Sequence, residues 1–299
     1  LPAYGCYDIA SAAVGAGERI VLYDVDPDTL SPDLDSLTAV LTGGARIVVV
    51  APFAGIPVDW HAITTTTRAF GAVVIEDAAQ GHGATWRGKP LGALAPIGVL
   101  SFSRGKGWTG GRGGAVLVRD PVLVNFSKGL TLQPATASDE TTVLALAWAQ
   151  AVFAHPSRFT VPAHVPWLHL GETRYRDPRP LAGISRPAAA LVLGSRAAAG
   201  AEAAQRVMNA HALLALLSDR TSKVRTFPVP ADAESGYLRL PVRIPTLSGG
   251  GARATPSVRF GVAPGYPGTL SSLPPVRARL LECGPWPGAR KLVRELVAL

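Results

Sequence analysis

The chain has 299 residues, 47% of them hydrophobic and 17% charged, with a formal net charge of +8. That length and apolar content describe a folded chain with one large domain and a smaller companion, not a disordered one. The basic residues are scattered without a run that would form a nucleic-acid or membrane-binding arm, so the excess charge reads as a solvated basic surface.

The chain opens on LPAYGCYD without Met and closes on the helical pattern ARKLVRELVAL, and both ends read as the interior of a longer protein. Strands are predicted in RIVLYDV, RIVVVAPF, AVVIED, IGVLSFS and GGAVLVR, alternating with helical patterns as in a layered α/β domain. The continuous apolar runs RIVVV and AVVI suit strands covered on both faces. Between the first two strands, SPDLDSLTAVL predicts a helix with Ser31 as N-cap, Pro32 at its first position, and Leu34, Leu37 and Leu41 on one face. Between the next two, DWHAITTTTRAFG predicts one capped by Asp59, with Trp60, Ile63 and Phe70 inward and Gly71 as the stop. Its four threonines weaken the interior, because β-branched side chains crowd the preceding turn.

Beyond Arg119 the texture changes. Residues 140–155 and 186–218 are predicted helical, joined by the irregular connection VPAHVPWLHLGETRYRDPRP. The apolar run Val143–Ala154 is too short for the ~20 residues that a bilayer requires, and no signal peptide is visible. YLRLPVRI is a strand candidate, LSGGGA a loop, and PWPGARKLVRELVAL a closing helix. Residues 1–180 are therefore read as a large α/β domain, and 181–299 as a helical linker with a small C-terminal domain. Cys6 and Cys283 are too few and too far apart for a disulfide framework or a cysteine-rich zinc site, which fits a reducing cytoplasm, and no metal is expected.

One stretch, SFSRGKGWTGGRGG, sets Lys106 between a strand end and a run of glycines. A phosphate-binding P-loop needs four residues between its first Gly and the Gly-Lys pair, then Ser or Thr. Here six residues separate Gly98 from Gly105, and Gly107 follows the lysine. The dinucleotide fingerprint fails as well, since these glycines lead into a strand instead of opening a helix. Upstream, AVVIEDAAQGHGA ends a buried strand on Glu76 and Asp77, followed by Gln80 and His82, at the kind of strand end where α/β sheets hold ligands. A lysine for covalent attachment, a carboxylate for a ring nitrogen and hydroxyls for phosphate are what a pyridoxal phosphate enzyme requires. Lys106 and Asp77 meet the first two needs. His82 reads equally as a pocket residue or a structural hydrogen-bonder.

The sequence resembles the DegT/DnrJ/EryC1/StrS sugar aminotransferases, within the fold-type I pyridoxal phosphate enzymes. The resemblance is carried by PAYGCYD, YDVDPDTLSPDLDSL, IEDAAQGHGATWRGKPLGALAPIGVLSFSRGKGWTGGRGG and PGARKLVREL, continuous to about residue 119, with Asp77 and Lys106 29 residues apart. It implies a mostly parallel central sheet flanked by helices, a smaller C-terminal α+β domain, and pyridoxal 5'-phosphate as cofactor. By motif position Asp77 becomes the ring-nitrogen partner, Gln80 the neighbour of the phenolic oxygen, Ser101 a phosphate ligand and Lys106 the covalent lysine.

The resemblance implies transfer of an amino group from glutamate or glutamine to a keto group on a nucleotide-linked sugar. It also implies a homodimer, because family sites form between two subunits. Relatives with histidine at the lysine position dehydrate instead, so Lys106 favours transamination. The chain departs from the pattern in four places. No Gly-Ser or Gly-Thr phosphate turn precedes Leu1, and the ring-stacking aromatic position falls on Cys6, beside Tyr4 and Tyr7. The usual GEGG reads GRGG with Arg112, and the GxNxR element is matched only by GISR with Ser185. A non-catalytic relative with a structural or regulatory role is the alternative. A place near a nucleotide-sugar substrate is one reading of Trp86 and Arg87, solvent equally the other for Arg87, and neither is taken as a site residue.

Overall fold

The computed structural model describes residues 1–153, 158, 162, 165, 172–220, 223–245, 261–282 and 284–299. Cys283, the LSGGGA loop and part of the connection after Thr160 lie outside the described residues. Helix α1 (Tyr7–Gly15) is followed by α2 (Leu34–Thr42), β1 (Ile47–Val50), α3 (Trp60–Ala69) and β2 (Val73–Asp77). The short strands β3 (Thr85–Trp86) and β4 (Lys89–Pro90) lead to β5 (Ile97–Ser101), β6 (Gly114–Val118), α4 (Pro121–Lys128) and α5 (Ala137–Phe153). Then come α6 (Arg186–Gly194), α7 (Arg196–Arg220), β7 (Arg225–Thr226), β8 (Ala233–Glu234), β9 (Pro241–Arg243) and β10 (Ala263–Pro264). Helices α8 (Pro274–Arg277) and α9 (Pro287–Glu295) precede the last strand, β11 (Leu296–Ala298).

The main sheet has the order β1-β2-β5-β6, with β1, β2 and β5 parallel and β6 antiparallel to β5. Four of the five strands expected before Arg119 pair here. The other, RIVLYDV, is extended but makes only isolated bridges, from Tyr23 to Pro2, Ile20 to Leu280 and Val25 to Pro32. Its neighbours are irregular segments, which offer single backbone partners and no ladder. Ile20, Leu22, Tyr23, Asp24 and Val25 are all buried, so most of this run lies inside the fold.

Helix α2 starts later than expected. Asp33, not Ser31, caps it, with Oδ1 accepting from the Ser36 amide at 2.8 Å, while the Ser31 carbonyl is taken by the Asp26 amide at 2.9 Å. Leu37 and Leu41 are buried against the sheet, but Leu34, at the first turn, is 40% exposed. Helix α3 begins as predicted, Asp59 Oδ1 accepting from His61 and Ala62 amides at 2.9 and 3.1 Å. Among its threonines, buried Thr67 donates to the Ile63 carbonyl at 2.9 Å, so the residue lowers helix propensity without stranding a hydroxyl. The single helix expected over 186–218 is divided at Ser195, whose amide closes α6 on Leu191 and whose carbonyl accepts from Ala199 to start α7.

Two cores result. Leu37, Leu41, Val48, Val50, Trp60, Ile63 and Val74 pack between the first helices and the sheet. A second joins the two ends of the chain, with Tyr4, Tyr7 and Leu22 against Leu270, Val276, Leu292 and Val297. The antiparallel sheet β10-β11-β9-β7 lies in that C-terminal layer.

Asp24 fastens the two ends. Its carboxylate accepts from the Val25 amide at 2.9 Å and from the Gly288 and Ala289 amides at 2.8 Å each, at the exposed-donor end of α9. A side chain at Gly288 would collide with the Val25 carbonyl, which is why the helix can approach. Asp24→Ala leaves these buried donors unpaired and is expected to cost about 3 kcal/mol, read as a lower midpoint in urea unfolding. An unchanged midpoint would show that Asp24 is not the fastener.

Candidate active site

Adjacent residues on a strand face opposite sides, and this separates the carboxylates at the end of β2. Glu76 is fully buried. Its Oε1 accepts from Gly92 at 2.6 Å, and Oε2 from Leu94 and Ala95 at 2.8 and 3.4 Å, so it organises the loop before β5. Glu76 and Asp77 are therefore not a paired catalytic set. Burial raises the Glu76 carboxyl, opposed by the three amides and by Arg119.

Asp77 points the other way, toward the lysine loop. Its Oδ1 accepts from the Ala79 amide at 3.0 Å. Burial raises its carboxyl, while the Ala79 amide and then the Lys106 ammonium pull it down, and Asp8 raises it further. In the sheet Asp77 is in register with Val99, two residues before the end of β5, so carboxylate and lysine emerge from neighbouring parallel strands.

Lys106 is half-buried on a closed loop. The Phe102 amide donates to Gly113 and the Gly110 amide to Phe102, both at 2.8 Å, and the Lys106 amide donates to Ser103 at 3.2 Å. Gly105 holds φ +75°, a left-handed turn that a side chain would strain. Ser101, at the base of the loop, accepts from the Ser103 amide at 3.4 Å.

Cys6 is the residue before α1 and provides no side-chain cap, its thiol lying 3.7 Å from Asp8 Oδ2. Burial, then Asp8, push this thiol up, and both Lys106 and Asp77 act on it, which places it with them. Gln80 is locked at both ends: Oε1 accepts from the Ala54 amide at 2.9 Å and Nε2 donates to the Tyr266 hydroxyl at 2.8 Å.

Sequence reasoning missed Tyr266. Its amide donates to the Tyr4 hydroxyl at 2.8 Å, and its ring lies 5.4 Å from Tyr4, 5.5 Å from Phe53 and 6.5 Å from Tyr7, near parallel to the last. Burial drives its phenol well up, with Cys6, Tyr4 and Asp77 adding. A side chain at the preceding Gly265 would run into Tyr4's hydroxyl. The only local signal was the turn composition of PGYPG, which says nothing about a partner 186 residues away.

Asp77, Lys106, Cys6, Gln80 and Tyr266 thus share one region, and Ser101 stands at the foot of the lysine loop. Other candidates are engaged elsewhere. Arg87 lies over the Trp86 ring at 4.5 Å and pairs with Asp232 at 2.8 Å on the surface. Ser185 caps α6 through the Ala188 amide. Exposed Arg112 acts on Asp139, at the start of α5. A cavity of about 410 Å³ bordered by Asp26, Asp33, Asp35 and Asp59 is lined by none of the site residues, and Asp33 and Asp59 there are helix caps.

Residues 2–144 match the DegT/DnrJ/EryC1/StrS aminotransferase family. Over 129 residues the chain is 36% identical to the L-glutamine:2-deoxy-scyllo-inosose aminotransferase of Streptomyces fradiae, a match covering 43% of this chain and 30% of that relative's length. The whole chain superposes on 72% of a DegT DnrJ EryC1 StrS aminotransferase from Brucella abortus, with a TM-score of 0.71 and 21% identity. It also superposes on 74% of the E. coli GDP-4-keto-6-deoxy-D-mannose-3-dehydratase with bound hydrated PLP, with a TM-score of 0.70 and 14% identity. The fold is that of the fold-type I pyridoxal phosphate enzymes, as the residue pattern implied.

A carboxyl raised by burial contributes stability that is full below the ordinary carboxylate range and is lost as pH rises through its raised value. Asp77→Asn is expected to raise the urea midpoint of the cofactor-free chain at neutral pH, with the gain disappearing in acid. Equal midpoints at every pH would contradict the burial of this charge.

Proposed function

We propose that this chain, whose residues 2–144 belong to the DegT/DnrJ/EryC1/StrS aminotransferase family, is a pyridoxal phosphate-dependent aminotransferase. The observation that carries the reading is that a desolvated carboxylate, Asp77, lies within the electrostatic reach of Lys106, the two following the carboxyl ends of neighbouring parallel strands.

The donor set suits the cofactor part by part. Asp77 is a buried anion for a protonated ring nitrogen, and a cation against it would offset the burial that now raises it. Gln80 presents an amide already fixed by Ala54 and Tyr266. Ser101 offers a hydroxyl at the next strand end, and Cys6 lies among the same charged groups. Pyridoxal phosphate, when bound, supplies an electron-withdrawing ring that stabilises negative charge on a substrate carbon. Lys106 would hold the cofactor, and its amine would move a proton to or from that carbon. Histidine at this position accompanies dehydration in some relatives, and lysine supports transamination.

Glutamate or glutamine is the proposed amino donor, and a keto group on a nucleotide-linked sugar the acceptor, with the net charge of +8 compatible with a diphosphate. The S. fradiae relative's name supports glutamine and makes an inosose the second acceptor to test. We also propose a homodimer. In α5 Val143 is the buried residue, while Leu144 and Trp148 are 55% and 68% exposed, and Val116 on β6 is 65% exposed. Exposed apolar side chains in that number support contact with a second copy.

Added pyridoxal phosphate should give a visible protein-bound band, absent in Lys106→Ala, that glutamate or glutamine bleaches. Loss of the proton-transfer amine is expected to cost about 10²–10⁴-fold in turnover. No band in the parent chain would defeat the enzyme reading, and a band that neither donor bleaches would favour the non-catalytic alternative. Trp148→Glu should shift sedimentation toward the monomer, and an unchanged profile would remove α5 from the interface.

A further inference from the structure

Lys106 sits between two unequal halves of its loop. On one side Arg104 and Gly105 are exposed, and nothing lies within 4 Å of a side chain added at Gly105. On the other side Gly107 is buried. A Cβ there would stand 3.0 Å from His82 Cβ, 3.2 Å from His82 Nδ1 and 2.8 Å from Arg206 Nη2. Trp108 continues the anchored half, with Nε1 donating to the Val192 carbonyl at 2.9 Å and its ring 5.7 Å from His82 and 5.5 Å from Phe102.

His82 belongs to the turn that begins at Asp77. Its carbonyl accepts from Arg206 Nη2 at 3.4 Å. Next to it Gly83 presses on α7, where an added Cβ would stand 2.9 Å from Ala203 Cβ. The imidazole therefore fills the space between the turn that carries the carboxylate and the loop that carries the lysine, with α7 behind it. Among the described residues His82 Nδ1 and Arg206 Nε are buried without a hydrogen-bond partner. Each such group costs about 1–3 kcal/mol, so the His82 ring is not there for its hydrogen bonding. Burial, then Arg206, hold the imidazole below its ordinary range against the opposing pull of Glu202, so the filler is a neutral ring.

We propose that His82, braced by Arg206, is a positioning residue that sets the spacing of Lys106 from Asp77 by holding Gly107 and Trp108 in place. The proposal rests on the reading of Lys106 as the cofactor-binding amine, but the holding of the loop is measurable without cofactor. Two rates read it out. One is tryptic cleavage after Arg104 and Lys106 in the cofactor-free chain, located by mass. The other is borohydride-stable attachment of pyridoxal phosphate to Lys106.

His82→Ala is expected to speed the cleavage and to slow attachment about 10–100-fold, as a misplaced reactive group does. His82→Phe, which keeps the ring and drops the polar atoms, is expected to restore both rates toward the parent values. Should His82→Ala fail to fold, Arg206→Met reads the same rates and is expected to move both in the same direction. Parent-like rates in His82→Ala or, in its place, Arg206→Met would overturn the proposal, as would a His82→Phe variant as impaired as His82→Ala. A parent chain that takes up no pyridoxal phosphate would defeat the functional reading alone, and the cleavage arm would still decide the positioning role.

Discussion

The Asp24 carboxylate, closed over the first amides of α9, is the constraint on which the rest of the structure depends. It brings the start of the chain against its last helix, and the apolar core between them then has two walls. Each fully buried side chain of that core, such as Leu292 or Leu270, contributes about 1.5–3 kcal/mol. The charged neighbours add less. Arg243 meets Glu295 at 3.3 Å with both side chains buried, and buried ion pairs roughly break even against their desolvation. Apolar packing therefore carries the stability of this layer, and Asp24 determines where it forms.

That placement reaches the site. Tyr266 stands on the segment after β10, and its hydroxyl accepts from Gln80 only because the C-terminal layer is docked beside Phe53 and Tyr4. The amide of Gln80 is then fixed from both sides before any ligand arrives. Preorganisation of this kind removes the ordering cost from binding. The buried phenol and carboxyl share the same low-dielectric region, so a cation introduced there acts strongly on both.

The strand pleat divides the labour of the acidic pair. Glu76, turned inward, holds the loop before β5 through backbone amides, and that loop sets where β5 begins. Asp77, on the opposite face, keeps one amide partner and meets the lysine's field. The lysine loop is left-handed at Gly105 and anchored at Gly107, which leaves one half free and one half held.

What the amino-acid order determined by itself was local. Continuous apolar runs predicted β1 and β2, β-rich runs between turn residues predicted β5 and β6, and the Asp59 cap predicted the start of α3, because strand, cap and turn chemistry act over a few residues. Even locally, Asp33 displaced Ser31 as the cap of α2 once Pro32 had paired with Val25. The tertiary structure decided the rest: RIVLYDV is largely buried without a ladder, Glu76 is a brace, and Tyr266 and Arg206 reach Gln80 and His82 from distant parts of the chain. Those outcomes turn on which surfaces dock, and docking follows summed burial over long sequence separations that no local pattern records.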